Sequence, residues 1–136
     1  KESSAASDVY KRQASYLEHM ALRVKDLDWH IRFFEDVFDM PVRMELGEAP
    51  NRKAWLHAGI QLNEAVDYEG PEGRADHMGI MTEDVDAVLE KAYRLGVKEL
   101  PQGHNWFELP SGLCIEVIAG KTDVLKEIIE KKPWIE

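Results

Sequence analysis

Four polar side chains of metal-binding types stand out in this sequence: His19, Gln61, His77 and Glu116. Two imidazole nitrogens, one amide oxygen and one carboxylate can together hold a single divalent cation of borderline softness. A lone histidine on a strand is more often a hydrogen-bonded structural residue, and a lone glutamate on a strand face is usually solvated. A metal site therefore requires a fold that brings all four side chains to one place.

The four residues occupy matching positions in an internal repeat. The segment LEHMALRVKDLD at 17–28 aligns with ADHMGIMTEDVD at 75–86 at an offset of 58, which places His19 on His77. Further along, Gln61 aligns with Glu116 at an offset of 55. The repeat predicts two equivalent modules, each of which contributes one histidine and one oxygen ligand to a shared concavity.

Hydropathy patterns in each copy predict one strand, one helix and then three more strands. Alternating residues place His19 and Ala21 on one face of the first strand, opposite Met20 and Leu22. Predicted helices at 28–39 and 85–95 each follow an aspartate suited to the N-cap. The later strands are predicted at 41–46, 52–58 and 59–66 in the first copy, and at 97–101, 105–110 and 113–119 in the second. The predicted fold class is α+β, with two βαβββ modules forming a cup-shaped mixed β-sheet.

The same patterns predict the domain limits. The N-terminal segment lacks an apolar h-region, so it is not interpreted as a signal peptide. It begins with Lys1 instead of Met, and residues 1–15 are therefore interpreted as a leader that is flexible, processed, truncated or introduced by cloning. A single domain is predicted at 16–120, with modules at 16–69 and 74–120. The stretch at 121–136 is predicted to be a C-terminal helix that begins near Thr122 and ends at Pro133.

Composition narrows the class of partner and compartment. The 136 residues include 17 basic and 26 acidic residues, for a formal charge of −9, and such a surface repels nucleic-acid backbones. The apolar runs are too short to span a bilayer, so no membrane partner is expected. With one cysteine, Cys114, no intrachain disulfide can form, and a cytoplasmic location is expected.

The segment from about Tyr16 to Ala119 resembles the vicinal oxygen chelate superfamily, which includes glyoxalase I. The resemblance is carried by EHMALRVKDL, GIQLNE, DHMGIMTEDV and SGLCIEV, in which a strand-one histidine and a fourth-strand Glu or Gln occur twice. It implies the glyoxalase/bleomycin resistance/dioxygenase fold and one divalent metal ion (Zn, Ni, Co, Mn or Fe). It also implies a small-molecule substrate with vicinal oxygens and a homodimer.

The resemblance also implies roles for the site residues. A His/Gln/His/Glu set is similar to that of methylmalonyl-CoA epimerases, whereas bacterial glyoxalase I has Glu in place of the Gln. Glu116 would then flank the substrate and shuttle a proton. His57 and His104 are candidate general bases if the phase of their strands turns them toward the site, since an imidazole titrates near neutral pH.

Several functions remain open on the sequence alone. Lyase or isomerase chemistry, glyoxalase-like or epimerase-like, fits a set of four ligands. An Fe(II) ring-cleaving dioxygenase is the alternative, because His19, His77 and Glu116 make a two-histidine, one-carboxylate triad. A third candidate is metal-dependent antibiotic modification of the fosfomycin-resistance type. The pattern of Ser, Thr, Lys and Arg that would bind a phosphonate there is not evident near 100–112. A drug-sequestering protein is the non-enzymatic alternative, and the intact ligand set counts against it. The sequence contains no cluster that plainly grips coenzyme A or glutathione.

Overall fold

A computed structural model describes residues 14–131 of the chain, apart from the side chains of Thr122 and Ile129. The described residues divide into two compact units, one of residues 17–79 and the other of residues 14–16 and 80–131. Residues 1–13 of the predicted leader and Pro133 lie outside the described residues. Ser15, which was assigned to the leader, already belongs to the first strand.

The unit at 17–79 contains a four-stranded sheet and one helix. The strand order is β2-β3-β4-β1, in which β1 and β4 run parallel and the other neighbours are antiparallel. Its elements are β1 (Ser15–Val24), α1 (Leu27–Phe38), β2 (Val42–Leu46), β3 (Lys53–Leu56) and β4 (Ile60–Glu64), followed by the first residues of β5 (Ala75–Thr82).

The second unit repeats this arrangement. Its strand order is β5-β8-β7-β6, with antiparallel pairing between β6 and β7 and between β7 and β8. After the end of β5, its elements are α2 (Val85–Arg94), β6 (Lys98–Leu100), β7 (Gly103–Glu108), β8 (Cys114–Ala119) and α3 (Thr122–Lys131). The predicted α+β class, mixed sheet pairing and two βαβββ modules are therefore confirmed.

The helices begin where the sequence predicts. The Asp26 side chain accepts a hydrogen bond from the Trp29 N–H at 3.0 Å, and Asp84 accepts one from the Ala87 N–H at 3.0 Å. Each cap satisfies an N–H group that has no partner within the helix. Helix α1 then packs Leu27, Ile31 and Phe34 against the buried strand residues of its unit (Val24, Ala54, Leu56 and Leu62).

The end of the third strand differs from the sequence prediction. The strand predicted at 52–58 ends at Leu56, because Ala58 (φ 71°) and Gly59 (φ 86°) turn the chain through the left-handed region into β4. Tight turns of this kind carry no hydropathy signal, so alternation alone extends the strand too far. Helix α3 begins at Thr122 as predicted, and its Leu125 is fully buried. Within the described residues, no helix is both long and apolar enough to cross a membrane.

Candidate metal centre

The structure brings two of the four predicted ligands into direct contact. His19 lies in β1 and His77 in β5, and they are 4% and 5% exposed. Their Nε2 atoms are 2.9 Å apart, and the two rings meet edge to face, with centroids 5.0 Å apart and an interplanar angle of 89°. The alternation of β1 and β5 therefore places both imidazoles on the buried face of their strands, as the repeat predicts.

Each imidazole has a carboxylate at its other nitrogen. Glu18 Oε2 contacts His19 Nδ1, and Asp76 Oδ2 lies 2.6 Å from His77 Nδ1. An ionised carboxylate only accepts hydrogen bonds, so each Nδ1 carries the proton. The hydrogen bond from His77 holds the pKa of Asp76 below its usual range; burial opposes this effect, and the positive charge of Arg23 adds to it.

With the Nδ1 atoms engaged by carboxylates, the ring nitrogens that face each other are the two Nε2 atoms. A 2.9 Å contact between two ring nitrogens is held either by a proton, in a hydrogen bond, or by a metal ion that both nitrogens bind. With metal–nitrogen bonds of about 2.0–2.1 Å, ligands at a right angle are about 2.9 Å apart and tetrahedral ligands about 3.3 Å apart. The observed spacing fits two ligands of one metal ion.

Gln61 is buried in β4, where it is 3% exposed and paired in register with Ala21 of β1. Its amide nitrogen donates a 2.7 Å hydrogen bond to Asn63 Oδ1. Because Asn63 engages the donor end of the amide, the oxygen is the end suited to a cation.

Glu116 occupies the matching position in β8 of the second unit and is partly buried. Gln61 and Glu116 each lie opposite a tryptophan on the neighbouring antiparallel strand. Gln61 is paired with Trp55 of β3, and Glu116 is paired with Trp106 of β7. Directly opposite residues project from the same face of a sheet. Both tryptophans are partly buried, and an aromatic wall beside a polar ligand is typical of small-molecule sites.

The other candidate residues lie in more exposed positions. His57 is exposed in the turn after β3, and its backbone N–H donates to Pro41. His104 is exposed on β7, stacks on Tyr93 with ring centroids 4.4 Å apart, and contacts Glu99 at 2.5 Å through Nδ1. Their catalytic roles stay predictions. Arg23, in the same strand as His19, forms a 2.6 Å ion pair with Asp76.

Sequence reasoning did not single out Gly79 as part of this centre. A β-carbon at position 79 would lie 2.3 Å from Cε1 and 2.5 Å from Nδ1 of His19, closer than real β-carbons approach. Position 79 aligns with Ala21 in the repeat. The presence of glycine in place of alanine, two residues after His77, was the sequence feature that could have indicated a close contact here. The roles of Glu18 and Asp76 could also have been suspected from the repeat, since an acidic residue precedes the histidine in both copies.

A comparison with protein families matches residues 16–108 to a model described as Glyoxalase/Bleomycin resistance protein/Dioxygenase superfamily. The matched range includes His19, Gln61 and His77, and Glu116 lies beyond it. Among curated proteins, the chain is 26% identical over 121 residues to YwbC of Bacillus subtilis (strain 168), an uncharacterized protein. That alignment covers 76% of this chain and 96% of YwbC.

Solved structures of similar fold include both a hypothetical protein and epimerases. The hypothetical protein BH1468 of Bacillus halodurans C-125 has a TM-score of 0.60 at 15% identity, covering 80% of this chain and 96% of that chain. A Streptomyces coelicolor methylmalonyl-CoA epimerase has a TM-score of 0.61 at 20% identity, covering 81% and 97%. The Mycobacterium tuberculosis enzyme has 0.59 at 21% identity, covering 81% and 91%. At these identities the likeness establishes the fold.

Proposed function

This chain belongs to the Glyoxalase/Bleomycin resistance protein/Dioxygenase superfamily, and on that basis we propose that it is a metal-dependent enzyme of the lyase or isomerase type. Its reaction is a proton transfer at a carbon next to a carbonyl group of a small substrate with vicinal oxygens. The proposed ligands of one divalent ion are His19, Gln61, His77 and Glu116.

The observation that carries this proposal is the buried pair of imidazoles. Their Nε2 atoms face each other at 2.9 Å, and both Nδ1 atoms are engaged by carboxylates. The spacing of these two buried Nε2 atoms matches that of two ligands of one ion. The repeat supports the other two ligands, because Gln61 and Glu116 occupy equivalent positions in the fourth strand of each module.

A bound divalent ion acts as a Lewis acid that stabilises negative charge developing on a substrate oxygen. Glu116 is the proposed proton shuttle, since a carboxylate beside the substrate can take a proton from carbon and return it. Gln61 supplies a neutral oxygen, so it lowers the negative charge of the ligand set and cannot act as a second base. Trp55 and Trp106 lie beside the two oxygen ligands, where they can exclude water from the substrate.

An epimerase-type reaction fits this ligand set better than a glyoxalase-type one. The His/Gln/His/Glu set is similar to that of methylmalonyl-CoA epimerases. Inversion at one carbon would need Glu116 to remove the proton from one face and a second acid, a water molecule or a nearby side chain, to deliver a proton to the other face. The structural neighbours named methylmalonyl-CoA epimerase support the same choice within the proposal. The substrate class is therefore proposed to be a small carbonyl compound with an acidic carbon–hydrogen bond beside the carbonyl.

Metal content is the first test. Protein purified without chelators should contain about one equivalent of Zn, Ni, Co, Mn or Fe by mass spectrometry. The variants His77→Ala and Glu116→Ala should lose it, because each removes a ligand and metal affinity falls with ligand count. His30→Ala, in which a histidine of α1 is removed, is the matched control and should retain the metal.

The identity of the metal divides the alternatives. Co, Ni, Zn or Mn supports proton-transfer chemistry, whereas predominant Fe with activity on catechols favours the ring-cleaving dioxygenase. Wild-type protein that binds no divalent ion even after reconstitution contradicts the proposal and favours a ligand-sequestering protein.

Activity is tested on chemically defined probes. Methylmalonyl-CoA in deuterium oxide and the hemithioacetal of methylglyoxal and glutathione represent the epimerase and glyoxalase reactions. We expect deuterium to enter the carbon next to a carbonyl, and Glu116→Gln to slow this exchange about 10²- to 10⁴-fold, the usual contribution of general acid–base catalysis. His57→Ala and His104→Ala, measured in parallel, decide whether either exposed histidine contributes. Undiminished exchange in Glu116→Gln would show that Glu116 is not the shuttle.

A further inference from the structure

The residue before each paired histidine is acidic in both copies of the repeat. Glu18 precedes His19 and Asp76 precedes His77, and each carboxylate contacts the Nδ1 atom of its own neighbour. Successive side chains of a regular strand point to opposite faces. A carboxylate that nevertheless reaches the imidazole of the next residue, at equivalent positions in two modules, is a recurrent feature of this chain.

The second oxygen of each carboxylate is paired with an arginine. Arg23 Nη2 lies 2.6 Å from Asp76 Oδ1, and Arg43 Nη2 lies 3.4 Å from Glu18 Oε1. The Arg23 guanidinium also lies over the ring of Tyr68, 5.2 Å from its centroid. The unit at 17–79 thus contains two side-chain networks of the same order, each of which runs from an arginine to a carboxylate to an imidazole.

We propose that Glu18 and Asp76 are positioning residues that fix the tautomer and the ring rotation of His19 and His77. This inference rests on the proposed metal function and deepens it. By holding a proton on Nδ1, each carboxylate keeps the Nε2 lone pair available for a metal ion. Carboxylates that orient histidine ligands in this way typically change metal affinity 10- to 100-fold when they are removed.

The two side-chain networks differ in geometry, and this difference predicts that removal of Arg23 and removal of Arg43 have unequal effects. The Arg23–Asp76 pair is 0.8 Å shorter than the Arg43–Glu18 pair, from the distances of 2.6 and 3.4 Å. Asp76 is therefore held more firmly. Loss of Arg23 should make the orientation of Asp76 and His77 less fixed, whereas loss of Arg43 should change the orientation of Glu18 and His19 less.

The experiment compares Asp76→Ala and Glu18→Ala with the exchanged acids Asp76→Glu and Glu18→Asp. The exchange is informative because the chain itself has Glu at one position and Asp at the other. Zn²⁺ affinity measured by competition should fall about 10- to 100-fold in the alanine variants and recover in the exchanged acids. Glu90→Ala, which removes an exposed carboxylate paired with Arg94 on α2, is the control and should bind Zn²⁺ like wild type.

Histidine tautomers in the metal-free protein supply a second, independent readout. Nitrogen-15 NMR should show a proton on Nδ1 of both His19 and His77 in wild type. Asp76→Ala should abolish the Nδ1 signal of His77 alone, and Glu18→Ala that of His19 alone. Asp76→Asn, which keeps the shape of the side chain, is measured beside them in case an alanine variant fails to fold.

The two readouts separate the positioning inference from the proposed function. Unchanged tautomers and unchanged Zn²⁺ affinity in the folded alanine variants would overturn the positioning role. If wild type bound no metal while the tautomers still responded to Asp76→Ala and Glu18→Ala, the proposed metal function would fail and the orienting effect of the carboxylates would stand.

Discussion

Gly79 lies against the imidazole of His19, and this contact permits a direct test at the scale of one residue. In Gly79→Ala, the new methyl group would meet ring atoms at 2.3 and 2.5 Å, so the imidazole must move. Metal content should fall well below one equivalent because the Nε2 atom of His19 leaves its position opposite His77. Overpacking should also lower the free energy of unfolding by about 1–3 kcal/mol. Metal analysis and urea unfolding measure the two effects.

A second glycine separates the loss of metal from the loss of stability. Gly73 has a φ of 76°, but a β-carbon there would meet nothing within 4 Å. Gly73→Ala should cost about 1–2 kcal/mol through backbone strain while leaving the metal content unchanged. Equal metal loss in the two variants would mean that general destabilisation, and not displacement of His19, is responsible.

The sequence predicts the pairing of His19 and His77 because two independent signals agree. Strand alternation assigns each imidazole to a face, and the repeat assigns both to equivalent positions. The environment of His104 could not be predicted in the same way, because it depends on contacts with Tyr93 and Glu99 from other elements. The close approach of Gly79 to His19 had only an indirect signal in the sequence, the glycine that aligns with Ala21 in the repeat, because the distance itself depends on the tertiary structure.

At the scale of elements, Arg52 connects α1 with β4. Its guanidinium donates to Asp28 in the first turn of α1 at 2.9 Å, and to Glu64 at the end of β4 at 2.7 Å. Its backbone N–H donates to Glu64 as well, at 3.1 Å. The Glu64 carboxylate is nearly buried, with 6% of its side chain exposed. Removal of the guanidinium would leave this buried charge without its main partner.

Acid unfolding tests this connection. The hydrogen bonds from Arg52 hold the pKa values of Glu64 and Asp28 below their usual ranges. A carboxyl group with a depressed folded-state pKa stabilises the fold above its unfolded pKa, and this stabilisation is lost as pH falls through the folded pKa. Wild type should therefore lose stability from about pH 5 downward, the region of the unfolded Asp and Glu pKa values.

In Glu64→Gln the urea midpoint should be lower at neutral pH and should depend less on pH in the acid range, because one depressed titration is gone. Arg52→Met should also lower the urea midpoint at neutral pH, because Glu64 and Asp28 lose their hydrogen bonds from the guanidinium. Urea unfolding at about pH 7, 5 and 4 spans the titration of these groups. Glu69→Gln, a change at an exposed glutamate in the segment after β4, serves as the control. An unchanged midpoint in both Arg52→Met and Glu64→Gln would show that the network adds no stability.

Element boundaries show where sequence reasoning ends. The N-terminal ends of α1 and α2 were predicted from Asp26 and Asp84, since a cap is a local interaction of a few neighbouring residues. The end of β3 was placed too late, because the left-handed conformation of Ala58 is imposed by the turn and not by its residue type. Register between strands likewise follows from pairing, which alternation in a single strand does not determine.

At the scale of the whole molecule, the repeat of the βαβββ unit was the most informative feature of the sequence. It predicted the fold class and the equivalence of Gln61 with Glu116, because one supersecondary unit written twice constrains both copies together. The homodimer and the cytoplasmic location stay predictions, since they depend on a partner and a compartment. The formal charge of −9 repels nucleic-acid backbones, and a small-molecule substrate stays the prediction.

Metal binding should stabilise the whole fold, because the proposed ligands are assembled only in the native chain. A ligand that binds the native state alone adds a free energy of RT ln(1 + [L]/Kd), which is about 2.7 kcal/mol at a concentration of 100 Kd. With an unfolding entropy of about 2.1 cal/mol/K per residue, this corresponds to a rise in Tm of about 9 °C for 136 residues. Calorimetry of metal-free protein with and without added Zn²⁺ or Co²⁺ measures the shift. The shift should disappear in His77→Ala and persist in His30→Ala, and an equal shift in those two variants would place the stabilising ion elsewhere on the molecule.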